Sequence, residues 1–317
     1  MKKTVIIIIS TLLIALISAK GNSYQIPKLI FENQMIQVWD FLNETENSSD
    51  SVKVSLFKKK IIDPNRDKYL LFIQYLDDPS ILSYISDLEK RKPEIKNICL
   101  YPDTNRIISI VEKFEKVYPD FESNIKIYLM PSFGWLFRCQ TLVADGKIFI
   151  RLGLDELMKN DDKEIIGLIQ HELFHVYHFQ KSVSFRQGAE AFFKTNEAPQ
   201  LYNLLWTEGI ANYAVLKINP DYKYGDVVGM KDLVDQTQLD FKNYINILSQ
   251  KLEAKDISGF FYYPDSLNPK IPVGCGYYFG MLIVEDVAKR YNQQDLVMLN
   301  GVELLEEIRK SIENLKQ

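Results

Sequence analysis

The 317-residue chain has little cysteine and as little histidine: three residues of each. The cysteines, Cys99, Cys139 and Cys275, are far apart and form no C-x-x-C pair, which excludes zinc knuckles and thioredoxin-type redox motifs. One disulfide with a spare thiol, or three thiols, fit that spacing equally well. Charge of one sign is also lacking. With 38 basic and 42 acidic residues the formal charge is −4, and no basic footprint for nucleic acid exists. Internal repeats and low-complexity tracts are absent, and 46% hydrophobic with 25% charged residues excludes a disordered, collagen-like or multi-span membrane protein. The scarce histidines are concentrated: His171, His175 and His178 fall within eight residues.

The N-terminus carries one long apolar run. Lys2 and Lys3 precede Val5–Ala19, too short for a span of roughly 20 residues but matching a secretory signal peptide over residues 1–21. The expected location is therefore secreted or periplasmic, with no stable membrane span after cleavage. Residues 22–120 read as a helical region, with helical spacing over 31–44, 68–76, 80–91 and 104–117. Strand signals follow at Ile125–Leu129 and in TLVADGKIFIRLGL, where Asp145-Gly146 between two apolar runs marks a hairpin. From about residue 161 the pattern is helical, broken at 181–200 and 256–275. The expected fold class is α+β: a helical N-terminal region, then a small antiparallel sheet followed by a mostly helical domain over 121–317.

The chemistry concentrates in DDKEIIGLIQHELFHVYHFQ. Asp161 and Glu164 have capping-box spacing, so a helix is expected to start there. Its middle is apolar on nearly every side, which predicts burial. At a spacing of four, His171 and His175 project from one face and suit a single zinc ion. Glu172 stands beside that metal position as a general base. Without a cation, three ionisable groups would be buried at several kcal/mol of desolvation, on the order of the cost of burying unpaired polar groups.

A third ligand is needed. His178 lies about 10 Å along the axis from His171 on a straight helix, too far to share the ion. The H-E-x-x-H-x-x-G-x-x-H pattern also fails, because His178 occupies its glycine position and Lys181 its last histidine position. His178 therefore reads as a pocket-wall or supporting residue. Downstream, in LYNLLWTEGIANYAV, Glu208 interrupts an apolar helical stripe, and a carboxylate there needs a cation. Gly209 beside it would let two helices approach closely. Asn212, one turn on, is placed to hydrogen-bond a ligand histidine. Later, in PVGCGYYFGMLIVEDVAKRY, Tyr277 shares a stripe with Met281, Val284 and Ala288, whereas Tyr278 shares one with Glu285 and Lys289. Tyr277 is thus expected to point inward, as a candidate hydrogen-bond donor to an oxyanion; ordinary packing is its other reading.

H-E-L-F-H followed by W-T-E-G-I-A-N-Y resembles the gluzincins, the thermolysin-like clan of zinc metallopeptidases, over roughly residues 120–292. The resemblance implies Zn2+ held by His171, His175 and Glu208, Glu172 as general base, and a peptide or protein substrate. It also implies that the strand before the zinc helix, about Lys147–Leu154, aligns that substrate. Two departures stand out. The 33-residue interval from His175 to Glu208 is longer than in thermolysin, so residues 181–200 form an insertion at the cleft. Asn212 is neutral where the partner is often acidic. Two rivals are a zinc hydrolase of an ester or N-acyl bond and a silent binding protein with a structural zinc. Pocket shape and ligand number distinguish them.

Overall fold

A computed structural model describes residues 29–317, apart from 70–72, 75, 135–136, 196, 229–230 and 262–263. The proposed leader, residues 1–21, lies outside the described residues. The fold is α+β. The longer N-terminal helices, α1 (Met35–Glu44), α2 (Asp50–Phe57), α3 (Asp78–Lys90), α4 (Lys92–Leu100) and α5 (Thr104–Val117), precede most of the sheet. The strands are β1 (Ile30–Asn33), β2 (Lys126–Met130), β3 (Cys139–Ala144) and β4 (Lys147–Gly153), in the order β1-β2-β4-β3. Then come α6 (Asp162–Lys181), α7 (Val183–Thr195) and α8 (Leu201–Ile218). The longer of the later helices are α9 (Lys231–Gln238), α10 (Phe241–Lys251), α11 (Cys275–Val287) and α12 (Gly301–Leu315).

The sheet is mixed, not antiparallel. β1 pairs parallel to β2, and β2 parallel to β4, with only β3 and β4 antiparallel. The cause is connectivity: α1–α5 cross over between β1 and β2, and a hairpin sends β4 back alongside β2. That hairpin is as the sequence predicts. Asp145 and Gly146 both have positive φ, 49° and 71°, as a two-residue primed turn requires. β1 was absorbed into an expected helix over 31–44; its four residues sit directly ahead of α1, whose spacing masks them. Asn33, the last residue of β1, bridges to the helix: its Oδ1 accepts the Met35 N–H at 3.0 Å and its Nδ2 donates to the Cys99 carbonyl at 2.9 Å.

α6 begins where expected, with the Asp161 carboxylate accepting the Glu164 N–H at 3.0 Å. It is buried through Phe179 on most faces. Residues 181–200, expected as a break, contain α7, whose exposed polar face and central Gly188 weaken the helical signal. One apolar cluster runs from Met35 to Ile312, so the same core spans position 120. Among the described residues no helix is long and apolar enough to cross a membrane. Cys99, Cys139 and Cys275 are free thiols.

α8 and α11 cross at a pair of glycines. A Cβ on Gly209 would stand 2.3 Å from the Gly280 backbone, and one on Gly280 would stand 2.3 Å from the Leu205 carbonyl oxygen. Backbone cannot yield as a side-chain tip can, so the two helices can meet only where both residues lack Cβ. We expect Gly209→Ala and Gly280→Ala each to lower stability by about 3 kcal/mol or more, at the upper end for overpacking. Gly188→Ala in α7, where a Cβ meets nothing within 4 Å, should instead gain up to about 1 kcal/mol from helix propensity. Thermal and denaturant unfolding of the three variants side by side checks the contrast.

Candidate metal centre and cleft

α6 presents His171 and His175 one turn apart, and α8 brings Glu208 to them across the helix pair. His171 Nε2 lies 2.9 Å from His175 Nε2 and 3.1 Å from Glu208 Oε2. His175 Nε2 lies 3.6 Å from the same carboxylate oxygen. Ligand atoms bound to a tetrahedral zinc at about 2.05 Å stand roughly 3.3 Å apart. The observed separations bracket that value, so the donor set fits the ion in number, type and spacing. Among the described residues, this is the group of three convergent ligand atoms suited to a metal.

The protonation chemistry agrees. Burial alone would raise the Glu208 carboxyl, but His175 and His171 outweigh it and hold it well below the usual carboxylate range. Burial likewise pushes His171 down, and the Glu208 carboxylate overrides this, leaving its pKa raised. Asn212 fixes the tautomer as its spacing predicts: its Oδ1 lies 2.8 Å from His171 Nδ1, which donates and leaves Nε2 to face Glu208.

Glu172 stands outside the ligand group but lines the same cavity. Its Oε2 accepts the Thr141 backbone N–H at 2.5 Å, while its own carbonyl accepts the Thr141 hydroxyl at 2.8 Å. The sequence offered no direct sign of Thr141. The hairpin did carry an indirect one: the two-residue turn pairs Ala144 with Lys147, so alternate residues, Thr141 among them, aim their backbone groups away from β4. Thr141 N–H therefore emerges on the open edge of the sheet and meets α6.

A cavity of about 610 Å³ lies over the cluster. β3 lines one side, and Phe185, Ala189, Phe192 and Phe193 of α7 line the other. The insertion thus forms a cleft wall, and the Glu190 carboxylate ties α7 to the hairpin by accepting the Gly146 N–H at 3.3 Å. The expected substrate strand requires correction. β4 is paired on both sides, by β2 and β3, and has no free edge; β3 is the strand at the cleft.

Tyr277 lines the cavity, with its ring 5.1 Å from Phe261. Tyr278 does not face solvent as its stripe implied. It is 3% exposed, packs with Val215, Val227 and Met281, and its hydroxyl accepts from Gln238 at 2.7 Å. Gln238, at the end of α9, covers Tyr278, whereas Lys289 further along the same stripe stays exposed.

His178 stands outside the metal group, as its axial distance implied. Its fully buried ring packs 4.4 Å from Phe185, behind the cleft wall. Burial pushes its pKa down to about 3 from an ordinary 6.5. A neutral imidazole favoured by folding stabilises the protein above pH 6.5 and loses that contribution as pH falls towards 3. Measured by urea unfolding, the wild type should lose more stability than His178→Phe between pH 7 and pH 4.

Two buried helices converge two imidazoles and a carboxylate, with a second carboxylate beside them, and this set defines a protein with a candidate His/His/Glu metal centre. The family model described as "Putative zinc dependent peptidase (DUF5700)" matches residues 33–299, and the chain belongs to that family. The match takes in β2 and the cleft and also α1–α5, which the resemblance read from the motifs left uncovered. No curated protein and no solved structure matches the chain.

Proposed function

We propose that the protein is an exported, gluzincin-type zinc metallopeptidase in which His171, His175 and Glu208 hold the metal and Glu172 is the general base. The observation that carries this reading is the convergence of the three donors at zinc-like spacing beneath an open sheet edge. The H-E-L-F-H motif on α6 and the E-G-I-A segment on α8 support the clan. The basic and then apolar residues 1–21 support export.

Zinc at this position supplies Lewis acidity, lowering the pKa of a water and polarising the scissile carbonyl. The remaining work falls to the chain. The outward-facing backbone groups of β3, other than the Thr141 N–H, pair with an extended peptide and place its scissile bond over the cluster. The Thr141 N–H holds the Glu172 carboxylate in one orientation, where it takes a proton from the attacking water and returns it to the leaving amine. Asn212 keeps the His171 Nε2 lone pair directed at the metal position. Tyr277, on the cavity wall, donates to the oxyanion as charge develops. A cleft bounded by a strand edge favours a peptide over a small ester or N-acyl substrate. Three protein ligands leave a coordination position open for chemistry, which argues against a purely structural zinc.

Glu172→Gln should retain stoichiometric zinc and lower kcat by about 10²–10⁴-fold, the usual worth of a general base. Wild-type turnover of a peptide library by that variant would remove Glu172 from the mechanism. Glu208→Ala should lose zinc under dialysis that leaves the wild type loaded. Unchanged metal content by elemental analysis would assign the third ligand elsewhere.

A further inference from the structure

Arg138 lines the cavity and takes no part in holding the metal or moving the proton. Among the described residues it is the only lysine or arginine in the cavity lining. Its Nη1 donates to Asn160 Oδ1 at 3.0 Å. The Asn160 amide is itself fixed, because its Nδ2 donates to the carbonyls of Glu156 at 3.2 Å and Leu157 at 2.9 Å. The partner of Arg138 is therefore a neutral oxygen, and among the described residues no carboxylate forms a salt bridge with it. A guanidinium has five N–H donors arranged to fit a carboxylate fork, and one bond to an amide leaves most of that capacity unused.

Its position along the strand sets what it can reach. The Gly153 N–H donates to the Arg138 carbonyl at 2.9 Å, so pairing with β4 extends one residue beyond β3. Arg138 is three residues from Thr141, whose N–H meets Glu172, or about 10 Å at the rise of a strand. A peptide lying along the β3 edge, with its scissile bond beside Glu172, brings a group about three residues away to the guanidinium.

We infer that Arg138 determines specificity by pairing with a substrate carboxylate about three residues from the scissile bond. Either a free C-terminal carboxylate or an aspartate or glutamate side chain supplies that chemistry. The inference rests on the peptidase reading only in placing a peptide along β3.

The test uses zinc-loaded full-length Glu172→Gln protein and labelled peptides of equal length, with wild-type cleavage measured in parallel. One pair differs by C-terminal acid against amide. A second pair, both amidated, differs by glutamate against glutamine at the third position. Fluorescence anisotropy should show tighter binding, by about tenfold or more, for the carboxylate member of at least one pair, the scale of a charge-assisted hydrogen bond. The pair that responds identifies the source. Adding Arg138→Ala should collapse the ratio to near one, and Arg138→Lys should restore part of it. In cleavage the difference should appear in KM rather than kcat. A ratio near one with Arg138 present, or equal weakening of both members by Arg138→Ala, overturns the inference and leaves Arg138 as a structural partner of Asn160. Arg138-dependent binding without wild-type cleavage would keep it and remove the peptidase reading. Cleavage without carboxylate preference would do the reverse, and neither binding nor cleavage would overturn both.

Discussion

Gly209 and Gly280 meet backbone to backbone, and the geometry of the metal cluster depends on that contact. Glu208 is the neighbour of Gly209, so the depth at which α8 sits against α11 also sets where its carboxylate stands relative to α6. The separations among His171, His175 and Glu208 span less than an ångström, from 2.9 to 3.6 Å. A helix pushed outward by a side chain at the crossing would take Glu208 out of that range. The close approach is thus a positional device as well as a packing one, and it accounts for glycine in the middle of a helix, where it otherwise costs about 1 kcal/mol.

The second constraint is the hairpin. A two-residue turn at Asp145-Gly146 fixes which β3 groups bond to β4 and which face outward. Because Thr141 faces outward, one N–H links the sheet to Glu172, and the orientation of the proposed base is set by the strand that borders the cleft. Sheet edge, base and metal cluster are consequently parts of one rigid arrangement. α7 closes the far side with a row of phenylalanines, making a bounded cleft of what would otherwise be an exposed strand edge.

Polar groups at the site have partners of opposite or complementary character: Glu208 with two imidazoles, His171 with Asn212, Glu172 with Thr141. His178 has an aromatic environment instead and is held neutral by burial. Five residues of one helix thereby contain two histidines suited to a metal, while a third histidine one turn on has no access to it. Burial is common to all three; what separates them is whether a carboxylate is within reach.

Local patterns in the sequence suffice for much of this. Spacing of four puts His171 and His175 on one face by helix geometry alone. A carboxylate in an apolar stripe marks Glu208, one further turn marks Asn212, and a residue pair marks the primed turn. Each is an interaction whose partners lie within one element or whose cost shows in composition. The strand order, the mixed sheet, the edge position of β3, the Thr141–Glu172 bond, the burial of Tyr278 and the role of α7 as a wall were decided only by tertiary structure. They depend on which distant elements become neighbours, and neither hydrophobic period nor residue type records that. Sequence alone therefore determined which side chains could hold a metal. Packing decided that they meet, what lies beside them, and which edge of the sheet is left open.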